Sequence, residues 1–313
     1  MNEARKSAIE VRNLTKRFGA APAVSGVTLD CARGEVFGFV GPDGAGKTTI
    51  MRLLAAVMTP DEGSIAIEGL DVVANPELAR AHISYMPQRF GLYEDLTVDE
   101  NIEFFAELFG IKRRDRDERA ARLLAASGMT PFRNRRAGQL SGGMKQKLGL
   151  TCSLIHTPKV LLLDEPTAGV DPVSRRDFWR ILYGLRGEGV AIVVATSYLD
   201  EAERCTRLGL LRSGRMLYCD TPAALKALMP GEILSILTNE ARRARDAVAR
   251  LDGVRGAILM GDSVNVVVDD AARRASELAV ALGAAGVSYD EIERIVPSIE
   301  DLFVSLLTGE DAR

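Results

Sequence analysis

The chain has 313 residues, of which 27% are charged and 47% hydrophobic, a composition typical of about two folded domains rather than of a disordered chain. Its net charge of −3 argues against the strongly basic surface of a nucleic-acid-binding protein. The densest apolar run, residues 190–195, is far shorter than the roughly 20 residues of a membrane span, and no secretory signal is expected. Four cysteines without a CxxC pair and two isolated histidines argue against a disulfide framework and a histidine-rich metal site.

Two kinds of strand pattern alternate with helical patterns along the first two thirds of the chain. Residues 9–11 and 63–68 alternate apolar and polar side chains, which predicts a half-exposed antiparallel sheet. Residues 36–40, 160–163 and 190–195 are continuous apolar runs, and such runs separated by helices predict a parallel sheet covered on both faces. The fold class is therefore α/β, with a parallel sheet and a separate antiparallel sheet.

A helical insertion is expected between these sheet segments, because the stretch 97–155 contains no convincing strand. Its apolar spacing predicts helices near 98–109, 117–127 and 142–155. We place this helical subdomain at about residues 90–156.

The pattern restarts after residues 229–231 and predicts a small second domain. Its order is strand, helix, strand, strand, helix and strand, which is the ferredoxin-like α+β arrangement. The predicted segments are 233–237, 240–251, 254–260, 264–268, 271–282 and 287–292, followed by a helix that starts at Ser298. The predicted domains are thus 1–228 and 231–313.

Residues 41–48 (GPDGAGKT) match the phosphate-loop pattern G-x-x-x-x-G-K-[ST] between a predicted strand and a predicted helix. Glycines let backbone N–H groups approach phosphate oxygens, and the helix N-terminus adds partial positive charge. Lys47 is expected to reach the β- and γ-phosphates and Thr48 to ligate Mg²⁺. A carboxylate beside a triphosphate is repelled, so we expect Asp43 to point to solvent. The predicted nucleotide contacts are Gly41, Asp43, Gly44, Ala45, Gly46, Lys47, Thr48 and Thr49.

The apolar run 160–163 leads directly into Asp164 and Glu165. In a parallel sheet this strand end lies at the same edge as the phosphate loop. We expect Asp164 to hold Mg²⁺ through its waters. Glu165 is expected to orient or deprotonate the water that attacks the γ-phosphate.

With both motifs placed, residues 8–228 resemble the ATP-binding subunit of an ABC transporter. The resemblance implies a P-loop NTPase cassette with a mixed central sheet, an antiparallel subdomain and a helical subdomain, which uses ATP and Mg²⁺. Residues 140–144 (LSGGM) resemble the family signature LSGGQ, with methionine in the usual glutamine place. The resemblance implies that Ser141, Gly142 and Gly143 grip the γ-phosphate of a nucleotide held by the opposite subunit. It therefore implies a dimer, homomeric or heteromeric, with two ATP molecules between the subunits.

Three further positions match the family pattern. Gln88 ends a segment similar to the Q-loop, which implies that it senses Mg²⁺ and the γ-phosphate. Phe18 lies where the family places an aromatic ring on adenine, although an apolar side chain on a strand face is the alternative. Asp171 belongs to a segment that resembles the D-loop, which contacts the partner subunit.

One position departs from the pattern. Residues 196–203 (TSYLDEAE) keep the family frame Thr-His-x-x-x-Glu-Ala-Glu, but Ser197 stands in the place of the switch histidine. A neutral hydroxyl cannot supply an imidazole contact to the γ-phosphate. Either hydrolysis proceeds with Glu165 alone while Ser197 acts through water, or this site is weak and a partner chain carries the active one.

The resemblance predicts the cytosolic ATPase of an exporter, peripheral on the inner face of the membrane through a separate ABC-2-type permease. Residues 297–303 (PSIEDLF) resemble the C-terminus of such ATPases, with an ordinary closing helix as the alternative. A regulatory subunit that binds ATP but hydrolyses it weakly is the second candidate function, motivated by Ser197. No nucleic-acid partner is expected. Family members that act in DNA repair carry a long coiled-coil insertion, and those that act in translation carry two cassettes on one chain, whereas this sequence shows neither feature. We expect residues 231–313 to have a regulatory or dimer-interface role, or only to support folding.

Overall fold

The computed structural model describes residues 7–19, 21–89 and 91–310. The chain divides into two compact units, Met1–Cys219 and Asp220–Arg313. This division precedes the predicted boundary at 228–231, because the short helix Pro222–Lys226 packs against the C-terminal helix Ile299–Glu310. Within the described residues, no helix is long and apolar enough to cross a bilayer.

The first unit combines two sheets with seven α-helices in its described part. Its strands are β1 (Ser7–Phe18), β2 (Ala21–Ala32), β3 (Val36–Val40), β4 (Glu62–Ile67), β5 (Leu70–Asp71), β6 (Ile83–Met86), β7 (Val160–Asp164), β8 (Ala191–Thr196), β9 (Arg207–Arg212) and β10 (Arg215–Asp220). Strand β10 ends at the division between the two units. Its helices are α1 (Lys47–Leu54), α2 (Pro76–Arg80), α3 (Val98–Leu108), α4 (Arg113–Ser127), α5 (Gly142–Leu154), α6 (Pro172–Gly187) and α7 (Leu199–Ala202).

A four-stranded sheet in the order β2-β1-β4-β5 forms the antiparallel part of this unit. Alternate residues of β1, including Ile9 and Val11, are fully buried while Glu10 and Arg12 face solvent. The predicted half-exposed antiparallel sheet is confirmed. Strand β2 is an addition, since its sequence is interrupted by polar residues and was not predicted as a strand.

The central six-stranded sheet has the order β10-β9-β3-β8-β7-β6. Five of these strands are neighbours that pair in parallel, in the order β6, β7, β8, β3 and β9. Every residue of β3, β7 and β8 is buried, as expected for apolar strands covered on both faces. The register aligns Val40 with Thr196 and Asp164 with Ala195. The three segments with predicted catalytic residues therefore leave the sheet side by side at one edge.

The stretch predicted to be helical contains α3, α4 and α5, although α4 begins at Arg113 rather than at residue 117. The Thr97 hydroxyl accepts from the Glu100 N–H while the Glu100 carboxylate accepts from the Thr97 N–H, so a capping box starts α3. Gly128, at φ +68°, ends α4 in the left-handed conformation that glycine adopts without strain.

The second unit has the predicted βαββαβ order and two flanking helices. Its elements are α8 (Pro222–Lys226), β11 (Glu232–Leu237), α9 (Ala241–Val248), β12 (Val254–Met260), β13 (Ser263–Val268), α10 (Ala271–Ala284), β14 (Glu291–Ile295) and α11 (Ile299–Glu310). The antiparallel order β12-β13-β11-β14 is that of a ferredoxin-like sheet. The last strand begins later than the predicted 287–292, because the Val287 N–H still bonds the Leu282 carbonyl to close α10.

The segment 297–303 anchors the C-terminal helix to this sheet. The buried Asp301 carboxylate accepts hydrogen bonds from the Ser298 N–H (2.9 Å), the Ser298 hydroxyl (2.6 Å) and the Asn265 amide on β13 (2.8 Å). In return, the Ser298 hydroxyl accepts from the Asp301 N–H at 3.1 Å. These bonds both cap α11 and attach it to β13.

Candidate active site

The phosphate loop connects β3 to α1, and α1 begins at Lys47. Gly46 lies just before the helix at φ +103°, a conformation that side chains disfavour. A Cβ atom at Gly46 would also overlap the Ala23 carbonyl oxygen of β2. Glycine is therefore required there by both the backbone conformation and the close approach of β2.

A cavity of about 200 Å³ lies beside this loop. Its lining contains most of the predicted phosphate-loop residues together with Gln88 and Glu165. Ala23 also lines it, although nothing in the sequence pattern of β2 identified that residue. Asp43 lines the cavity while remaining solvent-exposed, in agreement with the expected solvent-facing carboxylate. The complete lining is Ala23, Asp43, Gly44, Ala45, Gly46, Lys47, Thr48, Thr49, Gln88 and Glu165.

Lys47 is at the centre of a compact polar network. Its side chain is only 7% exposed, and its ammonium donates to the carbonyls of Gly41 (2.7 Å) and Pro42 (3.2 Å) and to the Ser197 hydroxyl (3.0 Å). The ammonium also lies 3.6 Å from Glu165 Oε1. Lys47 is thus the positive charge that stands next to the predicted general base.

Ser197 contacts Glu165 directly rather than through water. Its hydroxyl donates to Glu165 Oε1 at 2.7 Å, and its backbone N–H donates to Oε2 at 3.2 Å. Both carboxylate oxygens are therefore held by a single residue, and the same hydroxyl accepts from Lys47. Ser197 therefore fixes the orientation of the Glu165 carboxylate.

Glu165 itself adopts an unusual backbone conformation. Its φ of +49° lies in the left-handed region, which costs a non-glycine residue of order 1 kcal/mol and persists only where the surroundings enforce it. Here the Glu165 N–H donates to the Ala195 carbonyl at 2.8 Å. In this conformation the Glu165 carboxylate lies 3.6 Å from the Lys47 ammonium of the phosphate loop.

Two of the three residues predicted at the Mg²⁺ site, Thr48 and Asp164, are in contact. The Thr48 hydroxyl donates to Asp164 Oδ1 at 3.2 Å, and the Tyr85 hydroxyl donates to Oδ2 at 3.4 Å. Burial chiefly raises the pKa of Asp164, and the Glu165 charge adds to this, while the bonds from Thr48 and Tyr85 oppose it. Burial and then the Asp164 charge raise the pKa of Tyr85 to about 12. Sequence reasoning missed Tyr85, although it lies in the strand that leads to Gln88.

The predicted signature residues do not line the cavity. The Ser141 hydroxyl caps α5 by accepting from the Met144 N–H at 3.3 Å. Asp171 caps α6 by accepting from the Ser174 N–H at 2.9 Å. A Cβ at Gly143 would lie 2.5 Å from the Ser174 hydroxyl oxygen, so the two helix starts touch only because residue 143 lacks a side chain. None of Ser141, Gly142, Gly143 and Asp171 lines the phosphate-loop cavity.

Phe18 lies at the end of β1 and is 55% exposed. Its ring therefore lies on a strand, as the alternative has it, but is not packed in the core. Phe18 is not among the lining residues of the cavity, but its strand pairs with β2, which contributes Ala23 to the lining. An exposed ring on the strand next to the cavity remains compatible with stacking on a base.

Comparison with known proteins identifies relatives of this chain. Residues 24–168 match the family model described as ABC transporter. Over 99% of its length the chain is 43% identical to the probable multidrug ABC transporter ATP-binding protein YbhF of Escherichia coli K12, and it spans 53% of that protein, about half. It is 36% identical to the daunorubicin resistance ATP-binding protein DrrA2 of Streptomyces coeruleorubidus, over 96% of this chain and 94% of the relative. A solved ATP-binding cassette, a dimer in a post-hydrolysis state with ADP and Pi, is 26% identical with a TM-score of 0.62, over 68% of this chain and 98% of that one.

Proposed function

The chain belongs to the family of ABC transporter ATP-binding proteins, and on this basis we propose that it hydrolyses ATP at a dimer interface to drive export through a separate membrane subunit. The observation that carries the proposal is the direct network of Lys47, Ser197 and Glu165 beside the phosphate loop. It places a cation for phosphate, a carboxylate for water and a group that orients the carboxylate in one place.

Each member of this network has a defined task. The Lys47 ammonium and the N–H groups at the start of α1 provide positive charge for the phosphates. Glu165 is the group that accepts a proton from the attacking water. Ser197 holds both oxygens of that carboxylate, so the base is oriented before the substrate arrives. The network therefore favours working hydrolysis over a site that only binds nucleotide.

The residues present also fit a magnesium ion. Thr48, Asp164 and Gln88 offer hydroxyl, carboxylate and amide oxygens, the ligand type that Mg²⁺ prefers. In the described part of the chain, no group of three or more His, Cys, Asp or Glu side chains could hold a metal. A magnesium ion would therefore share ligation with phosphate and water, as it usually does. When bound, it would neutralise charge on the phosphates.

A second copy or a related subunit is part of the proposal. Ser141, Gly142, Gly143 and Asp171 lie outside the cavity of their own chain, which leaves them available for a nucleotide held by a partner. The solved cassette with ADP and Pi is a dimer. Because the relatives are named as multidrug and daunorubicin resistance proteins, we propose export through an ABC-2-type permease, with this chain on the cytoplasmic face of the membrane. The C-terminal unit would then regulate or extend the dimer.

Variants of Lys47 and Glu165 test the proposal. Lys47→Ala is expected to lose binding of a fluorescent ATP analogue, while Lys159→Ala, outside the cavity, retains it. Glu165→Gln is expected to bind Mg-ATP, to lose turnover and to accumulate as an ATP-bound dimer in light scattering. Unchanged ATP binding by Lys47→Ala would overturn the proposed function.

The second candidate is an ATP-gated regulatory subunit with little turnover, and the serine at position 197 is the observation in its favour. Single-turnover hydrolysis by the wild-type chain separates the two candidates. Product formation above background supports the exporter ATPase, whereas no product over hours supports the regulatory subunit.

A further inference from the structure

We propose that Glu201 is a positioning residue for ATP hydrolysis, which holds Glu165 and Ser197 in contact without touching either of them. The proposal rests on the proposed function of the site. Glu201 lies in the four-residue helix α7 and is completely buried. A buried carboxylate needs hydrogen-bond donors or a counter-charge to offset its loss of hydration, so its partners indicate what it organises.

Two threonines from different segments of the chain donate to this one carboxylate. The Thr167 hydroxyl donates to Glu201 Oε1, and the Thr196 hydroxyl donates to Oε2 at 3.1 Å. Both threonines are themselves buried. The Glu201 carboxylate therefore bridges the loop after β7 and the end of β8.

The loop after β7 carries Glu165, and the end of β8 leads directly into Ser197. Thr167 follows Glu165 by two positions, and the Ala168 N–H bonds the Glu165 carbonyl at 3.2 Å, which makes the connection a tight turn. Thr196 directly precedes Ser197. Anchoring both threonines on one carboxylate thus fixes the separation of the two backbones from which Glu165 and Ser197 project.

The Thr196 hydroxyl also constrains the chain on the far side of Ser197. While it donates to Glu201, it accepts from the Tyr198 N–H at 3.0 Å. The residues on both sides of Ser197 are therefore tied to the same hydroxyl. This turn directs the Ser197 hydroxyl and N–H toward the Glu165 carboxylate.

Arg175 supplies the counter-charge and extends the network toward the proposed dimer surface. Its Nε lies 3.6 Å from Glu201 Oε1, and its guanidinium carbon lies 4.2 Å from the centre of the Tyr198 ring. Arg175 lies in the first turn of α6, whose N-cap is Asp171. Through Arg175, Glu201 is therefore in contact with the start of the helix that would face a partner subunit.

Replacement of Glu201 by glutamine tests the proposal, because glutamine keeps the shape and one acceptor but loses the charge. We expect Glu201→Gln to lower kcat about tenfold, the effect of losing one hydrogen bond to a charged group, with KM and the Kd for ATP within about twofold of wild type. Thr167→Val, which removes one of the two anchors, is the second variant should Glu201→Gln fail to fold. Thr238→Val is the matched control, because Thr238 is equally buried and hydrogen-bonded but lies in the second unit.

A double-mutant cycle distinguishes positioning from general destabilisation. If Glu201 acts through Ser197, the rate loss caused by Ser197→Ala should be smaller in the Glu201→Gln background than in wild type. Wild-type kcat in Glu201→Gln, fully additive rate losses, or an equal rate loss in Thr238→Val would each overturn the proposal.

Amide hydrogen exchange in the nucleotide-free chain provides a readout that does not depend on turnover. Glu201→Gln should accelerate exchange at Ala168 and Tyr198, whose N–H groups are held in the two loops, and Thr238→Val should not. A wild-type chain without turnover would overturn the proposed function only. Unchanged exchange at both amides would overturn the positioning role itself.

Discussion

The contact between Ser197 and Glu165 allows a quantitative prediction for Ser197→Ala. The substitution removes a hydroxyl that donates to the carboxylate at 2.7 Å and accepts from Lys47 at 3.0 Å. A hydrogen bond to a charged group contributes about 1.5–3 kcal/mol. Since Ser197 is exposed and its backbone N–H still bonds Glu165 at 3.2 Å, we expect the lower end of this range.

A loss of about 1.5 kcal/mol corresponds to a fall in kcat of roughly tenfold. Steady-state hydrolysis of Mg-ATP measures this, with the Kd for ATP determined separately by a fluorescent analogue. We expect the Kd to stay within about twofold, because the carbonyl contacts of Lys47 do not involve Ser197. Ser276→Ala, at an exposed serine in the second unit, is the control and should retain wild-type kcat.

An unchanged kcat in Ser197→Ala would refute this reasoning, since it would mean that the hydroxyl does not orient the base. A loss confined to ATP affinity would refute it equally. Ser197→His tests the same position in the opposite direction. A kcat well above wild type would show that the serine limits the rate, whereas an equal or lower kcat would show that serine serves the network as it stands.

Three further predictions concern packing, pH and the second unit. Gly143→Ala would place a Cβ 2.6 Å from the Ser174 Cβ, where contacts normally begin near 3.4 Å, so it should lower the free energy of unfolding by about 1–3 kcal/mol. Adding Ser174→Gly in the same chain should restore it. A double variant no more stable than Gly143→Ala would contradict the packing argument. Burial lowers the pKa of His156. Its neutral form therefore stabilises the fold above the unfolded pKa of about 6.5, and this stability is lost as pH falls through the folded pKa. The free energy of unfolding in urea should change less between about pH 7 and 5 in His156→Gln than in wild type, and an equal change in both would contradict the argument. Asp301→Ala leaves the Asn265 amide without its acceptor and should lower the unfolding free energy of the second unit by about 2–4 kcal/mol. Chemical denaturation measures this, and an unshifted denaturation curve would contradict the prediction.

Much of the fold could be predicted because its signals are local. Continuous apolar runs identified β3, β7 and β8, and apolar spacing identified α3 and α5. The order of elements in the second unit was predicted correctly because a turn signal or a change in hydrophobic periodicity separates each element from the next. Strand β2 was missed, since its pairing with β1 rather than its own pattern makes it a strand.

The sequence by itself determined which chemical groups are available: a glycine-rich loop with Lys47 and Thr48, two acids after an apolar strand, and a serine where the family has histidine. Such motifs are short, and their residue types and spacing carry their chemistry. Only the tertiary structure decided that Ser197 contacts Glu165 directly, that Ala23 lines the cavity, and that Glu201 joins two loops. These contacts join residues that are distant in sequence, and the order β3-β8-β7 in the central sheet creates them. That order results from packing of the whole core, to which no single segment pattern corresponds.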